Sequence, residues 1–333
     1  MTALDTATTG LRSSRSVLIH FLRRNMWTLG LLGILIALLI VTKIIQPSYG
    51  PAAIQGLAIS VLPLAFAAVA QTFAVLGKGI DLSVGSMMAF TSVVAAATME
   101  DRGEGFAVLV VIGVLLLGMA IGAVNGALVV FTKVPDIVVT LAMLFVWAGA
   151  ALLVLQRPGG ASAEWLSGLT SGHLLTDWVP KAAVVLVVAI AVIWLPIRRS
   201  RAGLSLYAVG SDALAAFRSG VSVGRTKIFS YMLCGLFAAL AGLSLTASTG
   251  IGSPVPGPTY TLMSVAAVVL GGVSLAGGRG GVFGPVIAVV VLSLLRTDMT
   301  FLNVNTNLAT VAQGVILVGV VMVGSLIELL RER

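Results

Sequence analysis

The stretch 106–131, FAVLVVIGVLLLGMAIGAVNGALVVF, decides the fold: it carries no charged side chain and its one amide, Asn125, is its most polar residue. As a helix rising 1.5 Å per residue it exceeds the roughly 30 Å of hydrocarbon in a bilayer. Similar runs recur on both sides of it, separated by short polar breaks. We place crossings at 27–46, 52–76, 82–99, 106–131, 137–155, 181–197, 228–249, 261–275, 283–297 and 308–327. The third, eighth and ninth are short. Gly and Pro at Pro63, Gly77, Gly79, Gly271, Gly272 and Pro285 mark places where helices break or re-enter.

Composition agrees with this reading. Of the 333 residues 58% are hydrophobic and 10% charged, and mean hydropathy is +1.10, outside the range of chains that cover a core with a polar surface. Backbone groups in hydrocarbon must be paired internally, which leaves helices or a closed barrel. The few aromatics and the lack of short alternating segments favour helices. The expected architecture is all-α and polytopic. A basic segment 1–26 precedes a transmembrane domain 27–327, and 328–333 forms a short tail. The apolar run after Met1–Arg24 has no small-residue cleavage site before Trp27, so it is expected to be retained as a membrane helix.

A net charge of +8 would suit nucleic acid if it were clustered, but the charges are dispersed between apolar runs, and no nucleic-acid partner is expected. Their sidedness is informative instead. With alternating loops, one side receives Arg12, Arg15, Arg23, Arg24, Lys78, Lys133, Arg198, Arg199, Arg201, Arg218, Arg225, Lys227, Arg279, Arg331 and Arg333, which is 15 of the 20 basic residues. The other side keeps Lys43, Arg102, Arg157, Lys181 and Arg296 together with the acidic Glu100, Asp101, Glu104, Glu164, Asp177 and Asp298. By the positive-inside rule both termini are expected in the cytoplasm.

Two loops are long. The outer one, 156–180, carries Trp165, His173 and Trp178 and suits a segment lying partly in the interface. The cytoplasmic one, 198–227, contains a helix-compatible run Asp212–Arg218 with a possible cap at Ser211 and a stop at Gly220, read as a docking helix.

Candidates for chemistry are few. Gly77-Lys78 is followed by Gly79 rather than by the Ser or Thr of a nucleotide-binding loop, and LAGGRGG at 275–281 joins two membrane spans. No catalytic triad or metal-binding spacing is found. His20 and His173 stand apart, and the single cysteine, Cys234, reads as a packing residue. Asp81, in GKGIDLSVGS at 77–86, is a carboxylate at the entrance of a span. It either caps the helix beginning at Leu82 or serves substrate passage or gating. Ser83 and Ser86 permit close helix packing or share Asp81's task. Asn125, Thr140, Gln71 and Gln313 line a polar path or bond between helices. Asp136 sits beside Lys133 at a boundary and reads as half of an interfacial pair.

The motifs together resemble a known family. GKGIDLSVGS at 77–86, AIGAVNGALVVFTKVPDIVVTLAML at 120–144, AVGSDALAAFRSGVSVGRTKIFSYMLCGLFAALAG at 208–242 and SVAAVVLGGVSLAGGRGGVFG at 264–284 are, in this order, similar to segments of the ribose-type monosaccharide permeases of bacterial ABC importers. The resemblance implies a permease subunit of the bacterial inner membrane that pairs with a second copy or a paralogue. It also implies cytoplasmic ATP-binding subunits, which hold the ATP and magnesium, and a periplasmic or lipid-anchored substrate-binding protein. Asp212, Ala215, Ala216, Phe217, Arg218, Ser219 and Gly220 would form the element that couples to the ATPase. Asp81, Ser83, Ser86, Asn125 and Thr140 would belong to the substrate path or its gate. The chain departs from the family at 260–272, YTLMSVAAVVLGG, where relatives commonly read YELDAIAAVVLGG, and also at Ala148-Gly149 and Asp136. The other reading of the same residues is an ion-coupled secondary transporter with Asp81 or Asp136 binding a proton or sodium.

Overall fold

The computed structural model describes residues 26–255, 257–305, 307–312, 314, 315, 318, 319 and 322. The basic segment before Met26, the 328–333 tail, Gln313, His20 and half of the expected crossing 308–327 lie outside the described residues.

Each of the other nine apolar runs is a helix. In chain order they and three shorter elements are α1 (Met26–Ile45), α2 (Pro51–Leu76), α3 (Val84–Met99), α4 (Glu104–Thr132), α5 (Asp136–Val154), α6 (Glu164–Thr170), α7 (Lys181–Arg199), α8 (Arg201–Ser211), α9 (Ala213–Arg218), α10 (Val223–Thr249), α11 (Gly257–Leu270) and α12 (Phe283–Phe301). Seven of them, α1, α2, α4, α5, α7, α10 and α12, are long and apolar enough to cross a membrane. No strand forms among the described residues. The chain is an all-α polytopic membrane protein.

The boundaries shift where side chains bond to the backbone. α12 runs on to Phe301 rather than stopping near 297, and in its last turns the Thr297 and Thr300 hydroxyls donate to the carbonyls of Ser293 and Arg296, each at 3.0 Å. The ninth run is therefore not short. α10 starts at Val223, a turn before its apolar run, and there Thr226 donates to the Ser222 carbonyl at 2.9 Å. α11 ends at Leu270, earlier than 275, because Gly272 turns the chain at φ 76°.

α10 is the axis of the bundle and packs on α4, α2 and α3. Hydrocarbon gives packed helices little hydrophobic advantage over lipid, so close approach has to supply the attraction. Gly118, Gly122 and Gly126, one turn apart on α4, lie against Gly235, Tyr231 and Ile228 of α10. A Cβ at Gly122 would meet the Tyr231 carbonyl. Around α2, Phe73 packs on Trp194 of α7 and Phe237 of α10 with ring centroids 5.2 and 5.3 Å apart, contacts worth about 0.5–1.5 kcal/mol each beyond their area. α1, by contrast, touches the bundle at few points: Leu31, Thr42, which is buried beside Asp298 of α12, and Trp27, whose indole donates to the Leu270 carbonyl at 2.7 Å.

Outside the spans, α6 is held by Glu104. Its carboxylate accepts from the Glu164 and Trp165 amides, and the Trp165 indole donates to the Glu104 carbonyl at 3.1 Å. Gly159 and Gly252 exchange backbone bonds of 3.0 and 2.8 Å, so the 156–180 loop is tied down against the segment after α10.

Candidate functional site: a buried polar chain and the corner beneath it

Between α2 and α3 the segment 77–83 leaves helical geometry while staying inside the protein, with Asp81 fully buried. Irregular backbone in such a place is tolerated only when its polar groups are paired, and here they are. The Gly79 and Lys78 amides donate to the Ala74 and Val75 carbonyls at 2.9 Å each. Thr140 of α5 donates to the Ile80 carbonyl and accepts from the Leu82 amide, both at 3.1 Å, so one hydroxyl brackets Asp81. On the other side Gln71 faces Asp81's own backbone, and with its amide turned so that the nitrogen meets the carbonyl it donates there at 2.8 Å and accepts from the N–H at 3.2 Å.

The Asp81 carboxylate turns along the chain. Oδ1 accepts from the Ser83 amide at 2.8 Å and the Ser83 hydroxyl at 2.6 Å, just before α3 begins. Asp81 thus stands two residues ahead of Ser83, the residue at the helix start, and stabilises the positive end of α3 from there. Asn125 of α4 donates to Ser83 Oγ at 2.8 Å and accepts from the Trp147 indole of α5 at 3.1 Å. Cys234 of α10 lies with Sγ 3.6 Å from Asp81 Oδ2. Ser86 donates to the Ser83 carbonyl at 2.9 Å. All five residues expected at the path or gate, Asp81, Ser83, Ser86, Asn125 and Thr140, are buried within one connected group, and five helices, α2, α3, α4, α5 and α10, contribute to it. Trp147, Gln71 and Cys234 also belong to it. Gln71 was visible in the sequence as an amide in an apolar run, whereas nothing local marked Trp147.

One turn toward the 198–227 loop, Asp136 at the start of α5 meets Lys227 of α10, with Nζ 2.8 Å from Oδ1, and the Tyr231 hydroxyl donates to Oδ2 at 3.0 Å. The expected boundary pair exists, with Lys227 rather than Lys133 as partner. Gly79 lies directly against Asp136 and Tyr231, which connects this pair to the Asp81 segment.

The corner continues into the 198–227 loop. Its first part is an unforeseen helix, α8, and the docking helix α9 is capped by Asp212 rather than Ser211. Asp212 Oδ1 accepts from the Leu214 and Ala215 amides at 2.9 and 3.0 Å, while Ser211 closes α8. In α9 only Ala216 is buried. Asp212, Ala215, Phe217, Arg218, Ser219 and Gly220 are exposed, and Gly220 turns the chain at φ 83°. Leu214 and Phe217, 59% and 67% exposed, stand three apart on one face. Leu214 was missed from sequence, although an apolar pair at helical spacing in a basic loop is the signal that would have found it.

α8 presses Gly210 onto the Leu76 carbonyl that ends α2 and onto Gly278 of the glycine-rich segment 271–282. The Gly278 amide in turn donates to that Leu76 carbonyl at 3.1 Å. Tyr207 of α8 donates to the Gly280 carbonyl at 2.9 Å. Burial pushes its phenol above the ordinary value, against the opposing effect of Arg198, so it remains a neutral donor. The four sequence motifs, more than a hundred residues apart at their extremes, therefore meet at one end of the bundle.

The comparisons agree with this geometry. Residues 53–322 match the family described as branched-chain amino acid transport system / permease component. The ribose import permease protein RbsC of Escherichia coli (strain K12) is 34% identical over 267 residues, covering 78% of this chain and 81% of that protein. RbsC of Bacillus subtilis (strain 168) is 32% identical over 287 residues, 85% and 88% of the two chains. The autoinducer 2 import system permease protein LsrD of Escherichia coli O9:H4 (strain HS) is 28% identical over 269 residues, 79% and 80%. No solved structure matches. With a buried polar chain, a corner where the four motifs meet and relatives matched over most of their length, the chain belongs to the family of membrane-spanning permease components of ABC importers.

Proposed function

We propose that this permease carries a monosaccharide or similar small polyhydroxylated solute inward across the bacterial inner membrane, driven by ATP hydrolysis on separate subunits. The contact of Gly210 with both Leu76 and Gly278 carries the reading, since it joins the exposed helix α9, through α8, to the segments flanking α3 and α12. α9 is the surface for a cytoplasmic ATP-binding subunit, with Leu214 and Phe217 as its apolar contact and Arg218 as its charge. The excess of basic residues in these loops supports a cytoplasmic side for this end and for both termini. A substrate-binding protein delivers the solute at the opposite end, and a second permease copy or paralogue completes the path. ATP and magnesium belong to the partner.

The work of the chain is to be stable in two arrangements that nucleotide and solute favour differently. The bonding of Asp81, Ser83, Ser86, Asn125 and Thr140 into one buried group supports a gating role for the 77–86 segment, on which movement of α8 would act through Leu76. The test is uptake in proteoliposomes containing the ATP-binding and solute-binding partners. ATP-dependent uptake lost in Arg218→Glu, with the chain still inserted, supports the assignment. Uptake that follows an ion gradient and persists without ATP would overturn it.

A further inference from the structure

Between α2, α11 and α12 lies a cavity of about 400 Å³ that is open to the surface, with Ser60, Thr259, Arg296 and Thr300 exposed at it; its size is within the range of small-molecule sites. Ser60 on α2, Thr259 and Tyr260 on α11, and Arg296, Thr297 and Thr300 on α12 are among its lining residues. Ser60 lies sixteen residues before Leu76, so the cavity is about 24 Å along α2 from the corner where α8 docks. It is at the end that faces the solute-binding protein if the importer reading holds.

α12 is an apolar helix, yet Arg296, Thr297 and Thr300 share one face with Ser293, at the i, i+3, i+4 and i+7 spacing that points four side chains the same way. Arg296 stands near the end of α12 and is exposed, so its guanidinium is open to a ligand in the cavity. The ion pairs among the described residues are His173–Asp177 and Lys227–Asp136, so Arg296 has no acidic partner there. Asp298 does not serve. It stands two positions on, on the other side of the helix, and is buried beside Tyr49.

The hydroxyls around the arginine are oriented to accept. Ser60 donates its proton to the Leu57 carbonyl at 2.9 Å, and Thr297 and Thr300 donate theirs to α12's own carbonyls, which leaves these hydroxyls to act toward a ligand as acceptors. A ring of acceptors suits the O–H groups of a polyol. A planar guanidinium among them, with the Tyr260 hydroxyl nearby, suits a carboxylate or phosphate.

We infer that this cavity is a solute site for a polyhydroxylated molecule bearing one anionic group, a sugar acid or sugar phosphate, with Arg296 as the residue that selects the anion over a neutral sugar. The inference rests on the importer reading for its biological direction but is tested by binding alone. The shared anion chemistry could also come from a lipid headgroup, so the membrane is defined in the experiment.

The full chain is placed in nanodiscs of phosphatidylcholine, and retention of radiolabelled gluconate, gluconate 6-phosphate and ribose is measured by scintillation proximity. Either anion is expected to be retained about tenfold better than ribose, the gain of one charge-assisted hydrogen-bond pair. Arg296→Gln should remove that advantage and Arg296→Lys should keep part of it, both with an unchanged melting temperature. Should Arg296→Gln fail to fold, Ser60→Trp, which fills the cavity from α2, should abolish retention of all three probes.

Equal retention of ribose and both anions by the wild type would overturn the inference, as would undiminished anion retention in a folded Arg296→Gln chain. So would a chain that retains neither anion in phosphatidylcholine but binds phosphatidylglycerol through Arg296, which would assign the residue to headgroups. Failure of the importer reading looks different: no solute enters proteoliposomes in an ATP-dependent manner, whatever the nanodiscs retain.

Discussion

Lys227 Nζ sits 2.8 Å from Asp136 Oδ1, joining the first turn of α10 to the first turn of α5 beside the Gly77–Ser83 segment. Both side chains are mostly buried, at 22% and 14% exposure. Removing one partner strands the other. Asp136→Asn and Lys227→Met are each expected to destabilise by about 2–3 kcal/mol, while the double change to Asn and Met costs less than the sum because the stranded charge is gone. Thermal melting of the four chains in one detergent gives the coupling directly.

The carboxylate of Asp81 supplies acceptors before it supplies charge. Asp81→Asn keeps an oxygen for the Ser83 amide and hydroxyl and should melt close to the wild type. Asp81→Ala leaves both donors, and Cys234, without that acceptor and should cost about 1–3 kcal/mol. If Asn melts as badly as Ala, the charge and not the hydrogen bonds holds the segment.

Space between α4 and α10 is fixed by backbone. Gly122→Val drives a side chain into the Tyr231 carbonyl and is expected to cost about 3 kcal/mol or more, seen as lost yield of folded protein. Gly113 on the same helix has nothing within 4 Å, so Gly113→Val should insert and melt normally.

On α9, Leu214→Ser and Phe217→Ser remove exposed apolar groups, so stability should change by no more than about 0.5 kcal/mol. Affinity for the ATP-binding partner, measured by co-purification against a titrated competitor, should fall about tenfold or more for each.

Tyr207 gives a dependence on pH. Its phenol titrates above the ordinary value of 10.0 in the folded chain, so the unfolded chain loses the proton first. Its contribution is fully present below pH 10.0 and is lost as pH rises from there through the raised value. Tyr207→Phe should melt lower than the wild type at neutral pH, having lost the Gly280 bond, and the gap should narrow in alkali. A gap that stays constant would refute the assignment.

The spans were legible because hydrocarbon permits little else: a run such as 106–131 has one physical solution, and only its ends depend on detail. α8 was not, since Gly203 and Gly210 depress its helical propensity and its mixed side chains resemble a loop until α2 and the 271–282 segment are placed against it. Ser211 was a plausible cap by residue type, but the chain becomes helical again only after Asp212. The polar residues Asp81, Ser83, Asn125 and Thr140 could be picked out individually. Their connection could not, because it needs α3, α4 and α5 side by side. Arg296 was counted only as a charge of the outer loops. Its relation to Ser60 and Tyr260 requires three helices that are far apart in sequence.

The meeting of Gly210, the Leu76 carbonyl and the Gly278 amide consists of main-chain atoms and glycines, so it offers no side chain whose exchange would retune it. The cavity about 24 Å away is lined instead by residues such as Ser60, Tyr260, Arg296 and Thr300. If the two proposals hold, such a chain could change its cargo by substitution at one end while the part that meets its motor, at the other, is kept constant by its lack of side chains.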